Sequence, residues 1–232
     1  MADTQTFPGK AALAGHVADL WLERIGRRHG VFTVALSGGR IPRLLYEAVV
    51  ARAAGVSFKG VHFFWGDERC VPPGDAESNY RLAAEGLLEP LGIPEEQAHR
   101  IPVERGEAFA VAQAEAEICR VAEVDDDGQP VLDLAFLGMG EDGHVASLFP
   151  GDVEALETHA VYSAVTGPKP PPRRITLGYP ALANAREVWV LASGEGKAGA
   201  LGESLAEDGD TPLARVLKSR THTGIFTDFE LP

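Results

Sequence analysis

At 232 residues, with 45% hydrophobic and only 7% aromatic residues, the chain has the length and apolar content for one large α/β domain spanning 1–232 rather than two small ones. A formal net charge of −13 argues against partners held mainly through phosphate-backbone electrostatics, since those need clustered lysine and arginine to displace counterions. Nucleic acid and anionic membrane are therefore set aside, but a small anionic substrate is not, because a few cations converging in a cleft override the mean charge locally.

The start, MADTQTFPGK, lacks a basic segment followed by an apolar one, and no later stretch approaches the roughly 20 apolar residues of a membrane span. The expectation is a soluble, cytoplasmic protein, a monomer or weak homo-oligomer. Its two cysteines, Cys70 and Cys119, have no metal-type spacing and form no disulfide framework, which fits a reducing compartment.

In chain order, Lys10 to Arg28 reads as a helix with Leu13, Val17, Leu20 and Trp21 on one stripe. VFTVAL, from Val31, is a buried strand that empties into Ser37, Gly38 and Gly39 before a helix with Pro42 in its first turn. VHFFW, from Val61, is a second strand, entering the polar loop GDERCVP. SNY, Ser78 to Tyr80, either caps the next helix or bonds a sugar hydroxyl, and Glu107 to Val121 is a packing helix ending before DDDGQP. LDLAFLG, from Leu132, is a third strand; its glycine loop leads to an apolar pattern at helical spacing from Val145. The segment from Thr166 reads as a proline-stiffened loop, a short strand and a brief helix. REVWVLAS, from Arg186, is a further strand with a helix after Lys197, and THTGIFTDFELP is a late strand and tail. Near-continuous apolar strands followed by helices imply an open, doubly wound, mostly parallel sheet flanked by helices. Ligands in such sheets sit at the carboxyl ends of the strands, so the chemistry is expected where four of these loops meet.

Gly138, Gly140 and Gly143 satisfy the dinucleotide-binding spacing G-x-G-x-x-G after a strand. That motif also needs an acidic residue at the end of the following strand, and AVYSAV ends instead in Thr166 and Gly167. His144, directly after the third glycine, stands where a pyrophosphate site prefers small residues. The alternative is that the glycines let the backbone approach a small ligand and expose His144 at a helix N-terminus, where the imidazolium is disfavoured and a neutral ring can take a proton from water. A plain helix-capping role is the competing structural explanation.

The Ser37 to Gly39 loop offers backbone N–H groups and a helix start suited to phosphate, or is an ordinary tight turn. Asp67, Glu68 and Arg69 stand at another strand end, either as a solvated triplet or with Arg69 presenting its fork to an anion. Lys197 near a helix start is unfavourable against the dipole unless an anion shares the site. Of Arg173 and Arg174, adjacent on a strand, only one turns inward, and Arg174 is preferred. His62, Asp67, Glu68 and Cys70 show no metal-binding spacing, so no metal is expected.

Together, LSGGRIPRLLYE, FFWGDERCVPPGDAESNY, LDLAFLGMGEDGHVASLFPG, PPPRRITLGYPALANA and SGEGKAGAL resemble the 6-phosphogluconolactonase family, in the wider glucosamine-6-phosphate deaminase and isomerase-like group. The chain departs from the family at Arg40-Ile41, where a small or hydroxyl residue is common before proline. The resemblance implies hydrolysis of 6-phosphoglucono-1,5-lactone to 6-phosphogluconate in the oxidative pentose phosphate pathway, with no metal or organic cofactor. It implies His144 as the water-activating base, and phosphate recognition by Ser37, Gly38, Gly39, Arg69, Lys197 and Arg174. Asp142 is expected to orient His144, with Arg69 or the amide near Gly140 meeting the oxyanion. Asp67, Glu68 and Asn79 are expected to contact substrate. A sugar-phosphate isomerase or deaminase on the same scaffold, or a non-enzymatic sugar-phosphate sensor, are the competing functions. The deaminase pattern places a glutamate soon after its glycine-histidine loop, where this chain has SLFP.

Overall fold

A computed structural model describes residues 2–231. Its main sheet is parallel throughout and has six strands: β1 (Ala2–Thr6), β2 (Phe32–Leu36), β3 (Val61–Trp65), β7 (Leu134–Gly138), β10 (Glu187–Ala192) and β11 (Thr223–Thr227). They lie in the order β1-β11-β10-β7-β2-β3. Every residue of β2 is buried, as are most of β7 and β10, which is why these strands read as unbroken apolar runs. After β2 the chain steps to β3 on one side, and later strands build outward from β7 on the other. The switch point is thus the β2–β7 pair.

A second sheet is antiparallel and was not legible in the sequence. It joins β4 (Asp67–Arg69), β9 (Arg173–Leu177) and β8 (Tyr162–Thr166) in the order β4-β9-β8. The strand after the G-x-G-x-x-G loop is therefore β8, which is not a parallel neighbour of β7, and the dinucleotide reading falls on topology. A two-residue ribbon, β5 (Glu123–Val124) with β6 (Pro130–Val131), closes over the Asp125 turn, where Asp125 Oδ1 accepts the amides of Asp127 and Gln129.

Helices α1 (Lys10–Arg27), α2 (Arg40–Arg52), α3 (Asn79–Ala83), α4 (Glu107–Val121), α5 (Val153–Glu157), α6 (Tyr179–Asn184), α7 (Ala198–Leu205) and α8 (Pro212–Lys218) flank the sheet. α1 and α2 pack on each other, and α8 packs on α6 and α7. Trp21 of α1 is fully buried with its ring edge-on to Phe136 of β7 at 4.8 Å between centroids, an aromatic pair of the kind that contributes about 0.5–1.5 kcal/mol beyond its area burial. The buried apolar side chains form one cluster that runs through both sheets. Among the described residues, no helix is long and apolar enough to cross a membrane.

One expected helix is absent. From Met139 to Leu148 the chain forms a compact loop with single bridges Met139–Val145 and Val145–Leu148, and helix resumes only at Val153. Gly143 at φ 76° and Ala146 at φ 49° both leave the right-handed region, so no helical ladder can pass through them. Val145 and Leu148 are buried, but because the loop folds back on itself, not because they share a helix face. The helix-end argument for a neutral His144 therefore does not apply.

Candidate active site

Loops from the carboxyl ends of β2, β7 and β10, with Asp67 and Arg69 of β4, Arg174 of β9 and Asp228 after β11, surround a cavity of about 620 Å³. At the switch point, Ser37 Oγ accepts the amide of Gly138 at 3.3 Å, and its carbonyl accepts the Tyr46 hydroxyl at 2.6 Å, so the β2 and β7 loops are fixed together. Gly38 must be glycine: a Cβ there would lie 1.8 Å from Asn79 Oδ1. α2 then starts from Gly39 with no side-chain cap, which leaves the amides of Arg40 and Ile41, two cavity-lining residues, without a capping side chain.

β4 and β9 place Arg69 directly opposite Arg174. Both line the cavity, whereas Arg173 turns the other way to pair with Glu107. Two like charges paired across strands repel, and an anion between them removes the cost. Arg174 is 8% exposed, and its charge is opposed first by burial and then by Arg69, with Asp67 compensating. Asp67 accepts Ser147 Oγ at 2.6 Å and Asn79 Nδ2 at 3.0 Å.

His144 lines the cavity, and its Nδ1 lies 2.6 Å from Asp142 Oδ1, which also accepts the His144 amide at 3.2 Å. Burial opposes the charge on Asp142, but the bonds from the His144 side chain and amide outweigh it and hold the carboxyl below its ordinary range. An ionised Asp142 requires Nδ1 to carry a hydrogen, so the neutral ring presents Nε2 as its acceptor. Gly140 makes room for this pair, since a Cβ there would stand 2.1 Å from His144 Nδ1 and 2.4 Å from Asp142 Oδ1. The ring of Phe149 packs 5.0 Å from the imidazole centroid.

After β10, Gly194 at φ 100° turns the chain so that Lys197 faces the cavity. Asp228, just beyond β11, holds this turn by accepting Ser193 Oγ at 2.7 Å and the Gly194 amide at 2.8 Å. Burial, and then Arg40 beside it, push Lys197 below its ordinary value, with Asp228 and Glu141 pulling the other way.

Of the residues expected to meet substrate, Ser37, Gly38, Gly39, Asp67, Arg69, His144, Arg174 and Lys197 line this one cavity, with Asp142 behind His144. Three do not. Glu68 is 2% exposed, and its carboxylate is taken up by the amides of Arg69, Asn79 and Tyr80 and the Ser78 hydroxyl, so it shapes the loop instead. Asn79 is spent on Asp67, and Ser78 is the helix cap. The Gly140 amide donates to the His144 carbonyl at 2.9 Å and is unavailable to an oxyanion. Sequence reasoning missed Lys10, which lines the cavity at the first turn of α1, and Asp228. Lys10 gave the same signal as Lys197, a cation at a helix start.

The cavity thus gathers Lys10, Arg40, Arg43, Arg69, Arg174 and Lys197 against the carboxylates of Asp67 and Asp228, in a chain of net charge −13. A family model described as glucosamine-6-phosphate isomerases/6-phosphogluconolactonase matches residues 8–225. The chain belongs to that family. Within the glucosamine-6-phosphate isomerase/6-phosphogluconolactonase family, it is 39% identical over 181 residues to a protein from Mycobacterium tuberculosis named 6-phosphogluconolactonase, covering 76% of this chain and 73% of that one. A Nostoc protein of the same name is 35% identical over 210 residues, covering 89% and 86%. Among solved structures, 6-phosphogluconolactonase from Trypanosoma cruzi superposes with a TM-score of 0.86 at 28% identity, over 98% of this chain and 94% of that one. A monomeric glucosamine-6-phosphate deaminase shares the fold, with a TM-score of 0.83 at 15% identity over 97% and 96%.

Proposed function

We propose that this chain hydrolyses 6-phosphoglucono-1,5-lactone to 6-phosphogluconate, the oxidative pentose phosphate step that its relatives' name denotes. The observation that carries the reading is one cavity holding six cationic side chains together with a histidine whose Nδ1 is fixed by a carboxylate. Cations and open α2 amides hold the phosphate, and Nε2 of His144 takes a proton from water as the water attacks the lactone carbonyl. The proton then passes to the ring oxygen as the C–O bond opens. The developing negative charge on the carbonyl oxygen is met by the summed positive field of the cations that line the cavity. Binding energy from the remote phosphate aligns the reacting carbon.

The isomerase or deaminase alternative needs a further base to move protons between sugar carbons. Ser147, Leu148 and Phe149, which follow the histidine, are buried and carry no carboxylate, and the Asp67 oxygens are occupied by Ser147 and Asn79. The free thiols of Cys70 and Cys119 suit a cytoplasmic setting, in which we expect a monomer or weak homo-oligomer. A pH-stat assay on freshly generated lactone, corrected for spontaneous opening, tests the reading. Acid release above background is expected, and ammonia release from an amino sugar phosphate, or substrate binding without turnover, would overturn it.

Lys197 adds a pH dependence with a definite sign. Its value in the free protein is lowered, and a bound phosphate favours the charged form, so phosphate affinity falls as pH rises through that lowered value. The inhibition constant of 6-phosphogluconate should rise at lower pH than titration of an exposed lysine would produce. Lys197→Arg, which stays charged, should flatten the profile.

A further inference from the structure

We propose that Ser147 is a positioning residue: its hydroxyl satisfies Asp67 and so keeps Arg69 and Arg174 from closing on that carboxylate, leaving both free for the phosphate of the substrate. The inference rests on the sugar-phosphate reading of the cavity and adds a residue that does not itself line it.

Ser147 is fully buried, three positions after His144. Its hydroxyl donates to Asp67 Oδ2 at 2.6 Å. The Nε of Arg69 stands 4.0 Å from the same oxygen, beyond hydrogen-bonding distance, and is buried with no hydrogen-bond partner. A buried guanidinium N–H beside a carboxylate ordinarily bonds to it, because leaving such a donor unsatisfied is costly and the charge-assisted bond is strong. Here each carboxylate oxygen already has a donor, Ser147 on Oδ2 and Asn79 Nδ2 on Oδ1 at 3.0 Å, which lowers the gain from a further bond without filling the oxygen's capacity. The guanidinium is held instead through Nη1 on the Glu77 carbonyl at 2.7 Å.

Arg174 is placed in the same way. Its Nη1 reaches Ser147 Oγ at 3.5 Å, and its Nε donates to the Pro171 carbonyl at 3.0 Å, so the hydroxyl lies between this cation and Asp67. The backbone fixes the hydroxyl in turn. Ala146, at φ 49°, takes a conformation that L-residues adopt at a cost, and this turn carries the chain from His144 to the buried Ser147. The amide of Ser147 then donates to Thr176 Oγ1 of β9 at 3.1 Å. One serine therefore couples the loop bearing the base to the strands bearing two of the cations. Without its hydroxyl, Asp67 Oδ2 is left without a hydroxyl donor while a partnerless cationic N–H stands 4.0 Å away.

The test is titration of inorganic phosphate into the full chain by calorimetry, with kcat and KM measured on the lactone. Ser147→Ala should weaken phosphate binding about tenfold or more, the scale of one lost charge-assisted contact, and raise KM in step while kcat falls much less. Adding Asp67→Asn in the Ser147→Ala background removes the carboxylate that captures the cations and should restore phosphate affinity. Asp67→Asn alone, which removes a like charge from the cavity wall, sets the reference: a loss due only to packing is recovered by no more than that variant's own gain, whereas cation capture is recovered by more. Ser147→Cys, close in size and a weak donor, should shift affinity in the same direction by less, and it carries the test if the alanine variant does not fold. Unchanged phosphate affinity in Ser147→Ala, or in Ser147→Cys where that variant carries the test, overturns the proposal. So does a loss that Asp67→Asn fails to reverse beyond its own gain. If the unsubstituted protein binds no phosphate, the sugar-phosphate reading fails and this inference with it; if it binds and the variants bind equally, this inference alone fails.

Discussion

A His144→Ala protein is expected to lose about 10²–10⁴-fold in kcat, the contribution typical of one positioned acid–base group, while its affinity for 6-phosphogluconate stays near that of the parent. The separation follows from the layout. The imidazole sits on the β7 loop with its Nδ1 committed to Asp142, whereas the groups assigned to the phosphate arise from the β2 and β10 loops and from β4 and β9. Removing the ring therefore deletes the base without disturbing the anion contacts. Asp142→Asn should lose activity in the same direction, because an amide can present its NH₂ to Nδ1 and so favour the opposite tautomer, placing the hydrogen on Nε2 where the acceptor is needed. Stopped-flow acid release, with spontaneous opening subtracted, measures both. Near-normal turnover in His144→Ala would remove the ring from the mechanism.

The largest effect on stability is expected at Glu68, a residue that does not touch the cavity. Its buried carboxylate accepts the amides of Arg69, Asn79 and Tyr80, at 2.7, 2.8 and 2.7 Å, and the hydroxyl of Ser78 at 3.1 Å. Burial raises its proton affinity and the three amide bonds oppose that rise, so the site is organised around an acceptor. Glu68→Ala leaves these four neutral donors facing a void; at about 1–3 kcal/mol for a buried donor left unsatisfied, and with some of them regaining water, the expected cost is about 3–5 kcal/mol. For a chain of this size that corresponds to a fall of roughly 6–20 °C in Tm, read by calorimetry or circular dichroism. Because these bonds also fix the amides of Arg69 and Asn79, KM should rise together with the loss of stability. A Tm within 2–3 °C of the parent, about the shift of a 1 kcal/mol change, would mean that the α3 start holds without the carboxylate.

The sequence made strands and helices legible wherever burial is two-sided or strictly periodic. β2, β7 and β10 showed themselves as apolar runs, and the period of α4 placed Glu107–Val121 at its observed ends. β1 was not legible because ADTQT has no apolar pattern; it is a strand only through its pairing with β11. The loop after β7 misled because Val145 and Leu148 are three apart, and that spacing serves a folded-back loop as well as a helix. Within the site, a chemical oddity was the best guide. A lysine at a helix start singled out Lys197, which lines the cavity, and could have singled out Lys10, and strand alternation separated Arg174 from Arg173. Glu68 and Asn79 went astray because a polar residue at a strand end faces either the ligand or the loop that frames it. Only the three-dimensional pairing of their side chains distinguishes these.

The position of β11 bears on how the protein is made. Thr223–Thr227 pairs with β1 on one side and β10 on the other, so β1 has no neighbour in the main sheet until residues 223–227 have been made. Closing such a distant pairing is slow compared with local structure, and Asp228, which sets the Lys197 turn, arrives with it. A nascent chain halted before residue 223 would keep Ser37, Arg69 and His144 yet lack the strand that joins β1 to β10, so the ability to open the lactone should emerge only after β11 is made, in one step.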